Sequence, residues 1–327
     1  MASGRRTESF HRVTTVQGAS VFAALHCVLM TSTANVKQHK SGKGKKRTAT
    51  SLKRSDGKGE PSASMAQRAD RHQLYELSVQ DVESEVEFID ATFESLRGRK
   101  PDFIREDFCG TAQLCKAWVE RRAANRAIGV DLDPEVLRWA QGHNLASLDA
   151  ETKNRLTIVQ DDVLRVKTEL VDVVLAFNFS YWLFKKRSMM RAYFESVRRS
   201  LNPSGVFFLD CYGGYEAFEV LEEEREVNDD FNYVWDQVDY DPVSGDLQCD
   251  IHFRFRDGSE LKSAYSYHWR LWTLPEIREI LDEAGFSRMR IFWEGADEET
   301  CEGNGEFAEV TRGEADPGWI CYIVAEP

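Results

Sequence analysis

The sequence predicts an α/β domain of Rossmann-like form: a seven-stranded, mostly parallel sheet with helices on both faces, plus an antiparallel three-stranded insertion after the fifth strand. Three observations predict it. From Tyr75 onward, short apolar runs alternate with amphipathic stretches, the pattern of a parallel sheet covered by helices. Successive apolar runs end on polar residues, in order Glu106/Asp107, Asp131, Asp161/Asp162, Asn178 and Asp210. Beyond Asp210 the apolar period drops to two and turn signals appear at residues 241–246 and at Asp257-Gly258, as in antiparallel hairpins.

Taken in order, residues 102–106 are the first expected strand, entering the loop Asp107-Phe108-Cys109-Gly110-Thr111. A helix follows over 111–122, with Leu114, Trp118 and Val119 at helical spacing. Residues 127–130 form a second strand ending at Asp131, and Pro134 then stands in the first turn of a helix, where its missing N–H leaves nothing unsatisfied. The third strand, 156–159, stops at Asp161-Asp162. The fourth, 171–177, is almost wholly apolar, as a strand buried on both faces is. Met190, Tyr193, Phe194, Val197 and Leu201 line the next helix, which Asn202-Pro203-Ser204-Gly205 ends, and 206–209 is the fifth strand. Residues 231–240, 247–255 and 260–271 make the insertion, about 228–272 in all. Thr273 to Glu276 reads as a capping box opening a helix that Gly285 closes. Strands over 289–293 and 319–325 finish the chain.

Composition narrows the class. The chain has 327 residues, 42% hydrophobic and 30% charged. No apolar run approaches the roughly 18–20 residues that cross a bilayer, so no membrane span is expected. Seven cysteines without a C-x-x-C pair suit reduced thiols, and a cytoplasmic location is expected. The seven histidines show no metal-ligand spacing, so no metal is expected.

The net charge of −13 hides a split. Residues 1–64 hold 12 Lys and Arg against 3 Asp and Glu, a net of +9, which leaves 30 against 52, or −22, for the rest. Residues 1–70 are therefore set apart as a basic leader from a domain over 71–327. Its part from 31 to 70 is too polar to offset its ordering entropy and is expected to be disordered. Arg5, Arg6 and Arg12 before the apolar stretch 21–30 leave three readings open: a targeting peptide for an organelle or the nucleus, a functional basic arm, or a start misplaced upstream of Met30 or Met65. A body at −22 repels phosphates, which argues against nucleic acid as its main partner.

In an open parallel sheet, ligands sit beyond the carboxyl ends of the strands. Asp131 lies at such an end, about twenty residues past the glycine loop, where a carboxylate accepts both ribose hydroxyls of a nucleoside cofactor.

These residues resemble the class I S-adenosylmethionine-dependent methyltransferases. The family's first motif, an acidic residue and then G-x-G-x-G, falls on Glu106 with its glycine positions at Phe108, Gly110 and Ala112, of which only Gly110 is glycine. "GVDLDPEVL" (129–137) resembles the second motif, "VQDDV" (159–163) the acidic adenine-side motif, and "LNPSGVFFLD" (201–210) the turn and strand before the substrate loops. "LPEIREILDEAGF" (274–286) and the terminal strand match in kind and order. The resemblance spans roughly residues 75–325 and is closest in kind to small-molecule members such as glycine N-methyltransferase. It implies S-adenosylmethionine as cofactor. Glu106 would take its methionine end, the backbone of Cys109 and Gly110 would approach it, and Asp131 would hold the ribose. Leu132 would pack on the adenine, Asp162 would accept the adenine amino group, Asn178 would border the cofactor, and Tyr75 would close over it. A sulfonium cofactor carries no diphosphate to be cradled by N–H groups, so a glycine-poor loop counts more heavily against a dinucleotide.

Methyl transfer is an in-line displacement in which alignment supplies roughly 7–11 kcal/mol, so neither a catalytic triad nor a metal is required. The acceptor is expected between the ends of strands four and five and the insertion. Candidate catalytic residues there are Asn178, Tyr212, Tyr267 and His268, with Ser180, Tyr181, Tyr215, Tyr265 and Arg270 nearby. The expected reaction is methyl transfer to a small-molecule N, O or S acceptor. Two other readings stand beside it: a catalytically silent scaffold of the same fold, and an RNA or protein methyltransferase recruited by the basic tail. The sequence does not specify the oligomeric state.

Overall fold

The computed structural model describes residues 63–296 and 303–327; the leader expected over 1–70 lies, up to residue 62, outside the described residues. In chain order the helices are α1 (Met65–Arg68), α2 (Arg71–Val79), α3 (Val82–Arg97), α4 (Gln113–Arg121), α5 (Pro134–Gly142), α6 (Ala150–Lys153), α7 (Arg187–Ser200) and α8 (Leu274–Glu283). The strands are β1 (Phe103–Asp107), β2 (Arg126–Asp131), β3 (Leu156–Gln160), β4 (Val171–Ala176), β5 (Leu201–Gly213), β6 (Leu221–Asn228), β7 (Phe231–Tyr240), β8 (Asp246–Phe255), β9 (Glu260–Arg270), β10 (Arg288–Ala296), β11 (Gly303–Val310) and β12 (Trp319–Glu326).

The main sheet runs β11-β10-β12-β5-β4-β1-β2-β3. Strands β1 to β5 pair in parallel, and β12, β10 and β11 add on antiparallel. Strand order reverses between β1 and β4, the position where an open α/β sheet leaves a crevice. The sheet has eight strands where seven were expected. The addition, β11, reads Gly-Asn-Gly-Glu-Phe-Ala-Glu-Val and pairs only with β10. An edge strand needs little apolar patterning, and β11 is held by Phe307 against Tyr322, ring centroids 4.5 Å apart.

The second sheet, β6-β7-β8-β9, has four antiparallel strands and not three. The strand that the sequence conceals is β6, Leu-Glu-Glu-Glu-Arg-Glu-Val-Asn. Its alternation is real, with Leu221, Glu223, Arg225 and Val227 turned inward, but charge on both faces masks it. Glu222 and Glu224 are neutralised from outside by Arg254, at 2.9 and 2.7 Å.

The expected disorder up to residue 70 also stops short. Ser64 and Gln67 form a capping box on α1, and Asp70 caps α2. The Met65 N–H donates to Asp257 Oδ2 (2.8 Å) and the Ala66 N–H to Ser259 Oγ (3.1 Å), both on the β8–β9 turn. Those partners are remote in sequence, so the local composition that suggested disorder does not register them.

Two apolar layers flank the main sheet. One packs Ile104, Leu175 and Phe208 against Phe93, Leu114 and Trp118 of α3 and α4; the other packs Val174 and Phe207 against Tyr193, Phe194 and Ile280 of α7 and α8 and continues into β7–β9. Among the described residues no helix is long and apolar enough to cross a membrane. Cys109, Cys115, Cys211, Cys249 and Cys321 are buried free thiols.

Candidate active site

At the end of β1, strand alternation sends two neighbouring carboxylates to opposite faces. Glu106 turns toward α4, where Oε2 accepts the Cys115 N–H at 3.2 Å. Asp107 turns toward α7 and is consumed there: Arg105 Nε lies 2.9 Å from Oδ1, and the Tyr193 hydroxyl donates to Oδ2 at 3.0 Å. Arg105, itself fully buried, also donates to Ser200 Oγ at 2.6 Å.

The loop after β1 departs from glycine in sequence but not in shape. Phe108, Gly110 and Ala112 have φ of +60°, +50° and +57°, so all three glycine positions of the resembled motif keep the left-handed conformation. For Phe108 and Ala112 that costs about 1–2 kcal/mol each. Tertiary contacts hold it: the Cys109 N–H donates to Val130 O (3.0 Å), the Ala112 N–H to Cys109 O (2.7 Å), and the Phe108 ring lies 5.7 Å from that of Tyr193. A Cβ built on Gly110 would meet nothing within 4 Å, so the loop faces open space. The Cys109 side chain is buried against Gly129, and burial, with Glu106 and Asp131 nearby, pushes its thiol well up. Only its backbone serves the loop.

Asp131 closes this loop from β2. Its Oδ2 accepts the Gly110 N–H at 2.8 Å and its Oδ1 the Asp133 N–H at 2.9 Å. Asp133, and not Asp131, caps α5, accepting the Glu135 N–H at 2.8 Å. A carboxylate offers about four lone-pair positions, so Asp131 retains capacity for a diol. Leu132 beside it is 63% exposed. At the end of β3, Asp161 is tied to Arg165 (3.2 Å) while Asp162 remains half-exposed, with Oδ1 accepting the Leu164 N–H at 2.9 Å.

Past β4 the chain turns through Asn178 and Phe179, both left-handed, and their N–H groups donate to Asp210 Oδ2 (2.6 Å) and Oδ1 (2.9 Å). Burial pushes the carboxyls of Glu106 and Asp210 up to about 7 each. Glu85, in the first turn of α3, is raised well above the carboxylate range by burial and by Glu106 and Asp210. Sequence reasoning passed over it, because Glu in a first helical turn is an ordinary dipole partner.

The second sheet completes the cleft. Tyr75 of α2 lies beside Tyr267, and its hydroxyl, pushed up by burial, feels the charges of Glu85 and Asp210. Its ring lies 4.9 Å from that of Tyr265, whose hydroxyl sits 2.8 Å from His72 Nδ1. The structure thus brings Tyr75, Glu106, Gly110, Asp131, Asn178 and Tyr267 to one side of the switch point. It separates others from them. His268 is exposed on the opposite face of β9 from Tyr267, as a period of two requires. Tyr212 is buried, stacked on Trp182 at 4.9 Å, its hydroxyl 3.5 Å from Gln237 Oε1. Tyr181 donates to Asp210 O at 2.5 Å from within the core, Ser180 Oγ donates to Phe177 O, Tyr215 is exposed, and Arg270 covers Trp272 at 3.8 Å.

On the outer face of the second sheet, Glu222, Asp236 and His252 bring ligand atoms within 4.8 Å of one another. His252 Nδ1 accepts the Ser263 N–H (2.7 Å), so the neutral ring carries its proton on Nε2, directed at Asp236 Oδ2 at 3.2 Å. That tautomer offers no lone pair to a metal.

The family model described as a methyltransferase domain matches residues 109–207. No curated protein matches the sequence. Among solved structures, DesVI from Streptomyces venezuelae is 17% identical, with a TM-score of 0.58 over 79% of this chain and 99% of its own. An S-adenosylmethionine-dependent methyltransferase from Clostridium acetobutylicum is 16% identical, with a TM-score of 0.56 over 77% and 96%. The sugar N-methyltransferase KedS8 from Streptoalloteichus is 16% identical, with a TM-score of 0.53 over 86% and 99%. At such identities the likeness to these structures is one of fold.

Proposed function

From the premise that the chain carries a methyltransferase domain on the class I fold, with S-adenosylmethionine as cofactor, we propose that it methylates a small-molecule acceptor. The observation that carries this reading is the second sheet's position: Tyr75 of α2, its ring 4.9 Å from that of Tyr265 on β9, lies close to Asp210 at the end of β5, an aromatic cover over the strand ends that favours a small acceptor above a broad polymer surface. KedS8 is described as acting on a sugar nitrogen, an acceptor of compatible size.

In this reading the Asp131 carboxylate holds the ribose diol with the lone pairs that Gly110 and Asp133 leave unused. Leu132 presents an apolar face to the adenine, and Asp162 accepts its amino group. Glu106 and the open backbone at Gly110 receive the methionine end, whose ammonium suits a buried carboxyl lacking a basic partner. The bound cofactor supplies an activated methyl group on a sulfonium. The chain's own contribution is alignment and exclusion of water, with Asn178 fixed by Asp210 at the border and Tyr75 closing above. Screening a metabolite panel for S-adenosylhomocysteine release tests the proposal. Release with a small acceptor is the expected result; tight S-adenosylhomocysteine binding without turnover on any small acceptor would overturn it.

A further inference from the structure

Helix α2 is fastened along two flanks, and the flanks belong to different parts of the molecule. Toward the second sheet, the Tyr265 hydroxyl sits 2.8 Å from His72 Nδ1, and Arg225 donates to Ser78 O at 2.6 Å. Toward the main sheet, the partners stand on α5 and just past its end. Asp70 caps α2 through Oδ1 and accepts the Trp139 indole N–H through Oδ2 at 2.7 Å. Further along the helix, Glu76 Oε1 accepts from Asn144 Nδ2 at 2.6 Å. That bond is charge-assisted, the stronger class of hydrogen bond, and both side chains are half-buried.

Asn144 makes a second bond with the same nitrogen. Its Nδ2 also donates to Thr111 O at 2.9 Å, and Thr111 follows Gly110, whose N–H meets Asp131 Oδ2 at 2.8 Å. A side-chain amide carries two N–H donors. Here one serves the helix that carries Tyr75, and the other serves the loop proposed to receive the methionine end of the cofactor. Helix α5 spans the arrangement: Asp131 and Leu132 precede its cap at Asp133, and Asn144 stands just beyond its last residue, Gly142. The end of α5 does not require the Asn144 side chain, since the His143 N–H already donates to Trp139 O at 3.0 Å.

We infer that Asn144 is a positioning residue for the cofactor: it registers the cover helix α2 on the loop after β1 and so keeps Tyr75, the neighbour of Glu76, over the strand ends. A cofactor beneath the cover leaves when α2 lifts, and lifting α2 from the loop breaks the Glu76–Asn144 bond. The bond therefore governs how fast the cofactor product is released, a step that limits turnover in many enzymes with a cover. This rests on the methyltransferase reading above and assigns, within it, a residue outside the strand ends.

The test loads the full chain with tritiated S-adenosylhomocysteine and follows its release during a chase with the unlabelled compound. Glu76→Ala removes only the α2 side of the tie and should release the label at least about fivefold faster than wild type. Glu76→Gln keeps an acceptor for Asn144 and should stay within about twofold of wild type. Asn144→Ala should be at least as fast as Glu76→Ala, and the double variant no faster than Asn144→Ala, because the two side chains act through one bond. A smaller acceleration in Glu76→Ala, a Glu76→Gln variant as fast as Glu76→Ala, or additive effects in the double variant overturns the inference. Failure of S-adenosylhomocysteine to bind the wild-type chain is a distinct result: it removes the cofactor reading, and the role of Asn144 with it.

Discussion

The Gly110 amide N–H meets Asp131 Oδ2 across 2.8 Å, so the loop after β1 and the end of β2 form one unit. Asp131→Ala should weaken S-adenosylhomocysteine binding by about 1–3 kcal/mol, through lost ribose bonds and a freed loop amide. Asp131→Asn, which keeps an acceptor for the Gly110 N–H, should lose less. Calorimetric titration of the three proteins decides it, and an alanine variant that binds like wild type would show that the ribose sits elsewhere.

Ala112 occupies a left-handed position while fully buried. Ala112→Gly gives up a buried methyl, about 0.8 kcal/mol, but relieves about 1–2 kcal/mol of backbone strain, so its stability should stay within about 1 kcal/mol of wild type. Ala140, equally buried but inside α5, has no strain to relieve, and Ala140→Gly should cost clearly more. Denaturant melts of both variants provide the comparison; equal losses would mean that the left-handed turn carries no strain.

Glu106 rises from 4.5 to about 7 on folding, chiefly through burial. Between those values the folded state holds a proton that the unfolded chain has released, so this group's contribution to stability is full below the window and is lost as pH rises through it. Glu106→Gln removes the loss. Its melting temperature relative to wild type should therefore be more favourable at about pH 8 than at about pH 5.5. A difference that does not change with pH would place Glu106 in a more solvated setting.

Tyr267 and His268 are sequence neighbours on opposite faces of β9. Once an acceptor is in hand, Tyr267→Phe, which removes the hydroxyl beside Tyr75, should raise its KM, whereas His268→Ala should leave kcat and KM within about twofold. Steady-state kinetics on the pair checks the assignment, and a damaging His268→Ala would contradict the exposed placement.

Legibility in the sequence followed the physics of each element. Strands β2, β4 and β5 are buried on both faces, and apolar runs ended by Asp131, Asn178 and Asp210 betray them. Capping residues announced α5 and α8. The edge strands β6 and β11 do not announce themselves, since glutamates and glycines conceal their alternation, whereas the edge strands β3 and β9 are legible in their apolar pattern. Asp131 was legible because it ends an apolar run. The setting of Glu85 was not, since it depends on α3 packing against β5, which no local pattern records. Tyr212 turns into the core and His268 faces out, because a residue's place in chain order does not fix which way its side chain turns.

The buried Arg105–Asp107 pair on the back of β1 has a consequence for heredity as much as for stability. A single-codon deletion within that strand would invert its parity, thrusting the guanidinium among the apolar side chains of Leu114 and Trp118 and stranding Tyr193 without its acceptor. Desolvating an orphaned cation costs several kcal/mol, so such a deletion should be expelled at folding before any loss of turnover is felt. The ion pair thus acts as a reading-frame mark, keeping the neighbouring Glu106 carboxylate turned toward the Cys115 N–H.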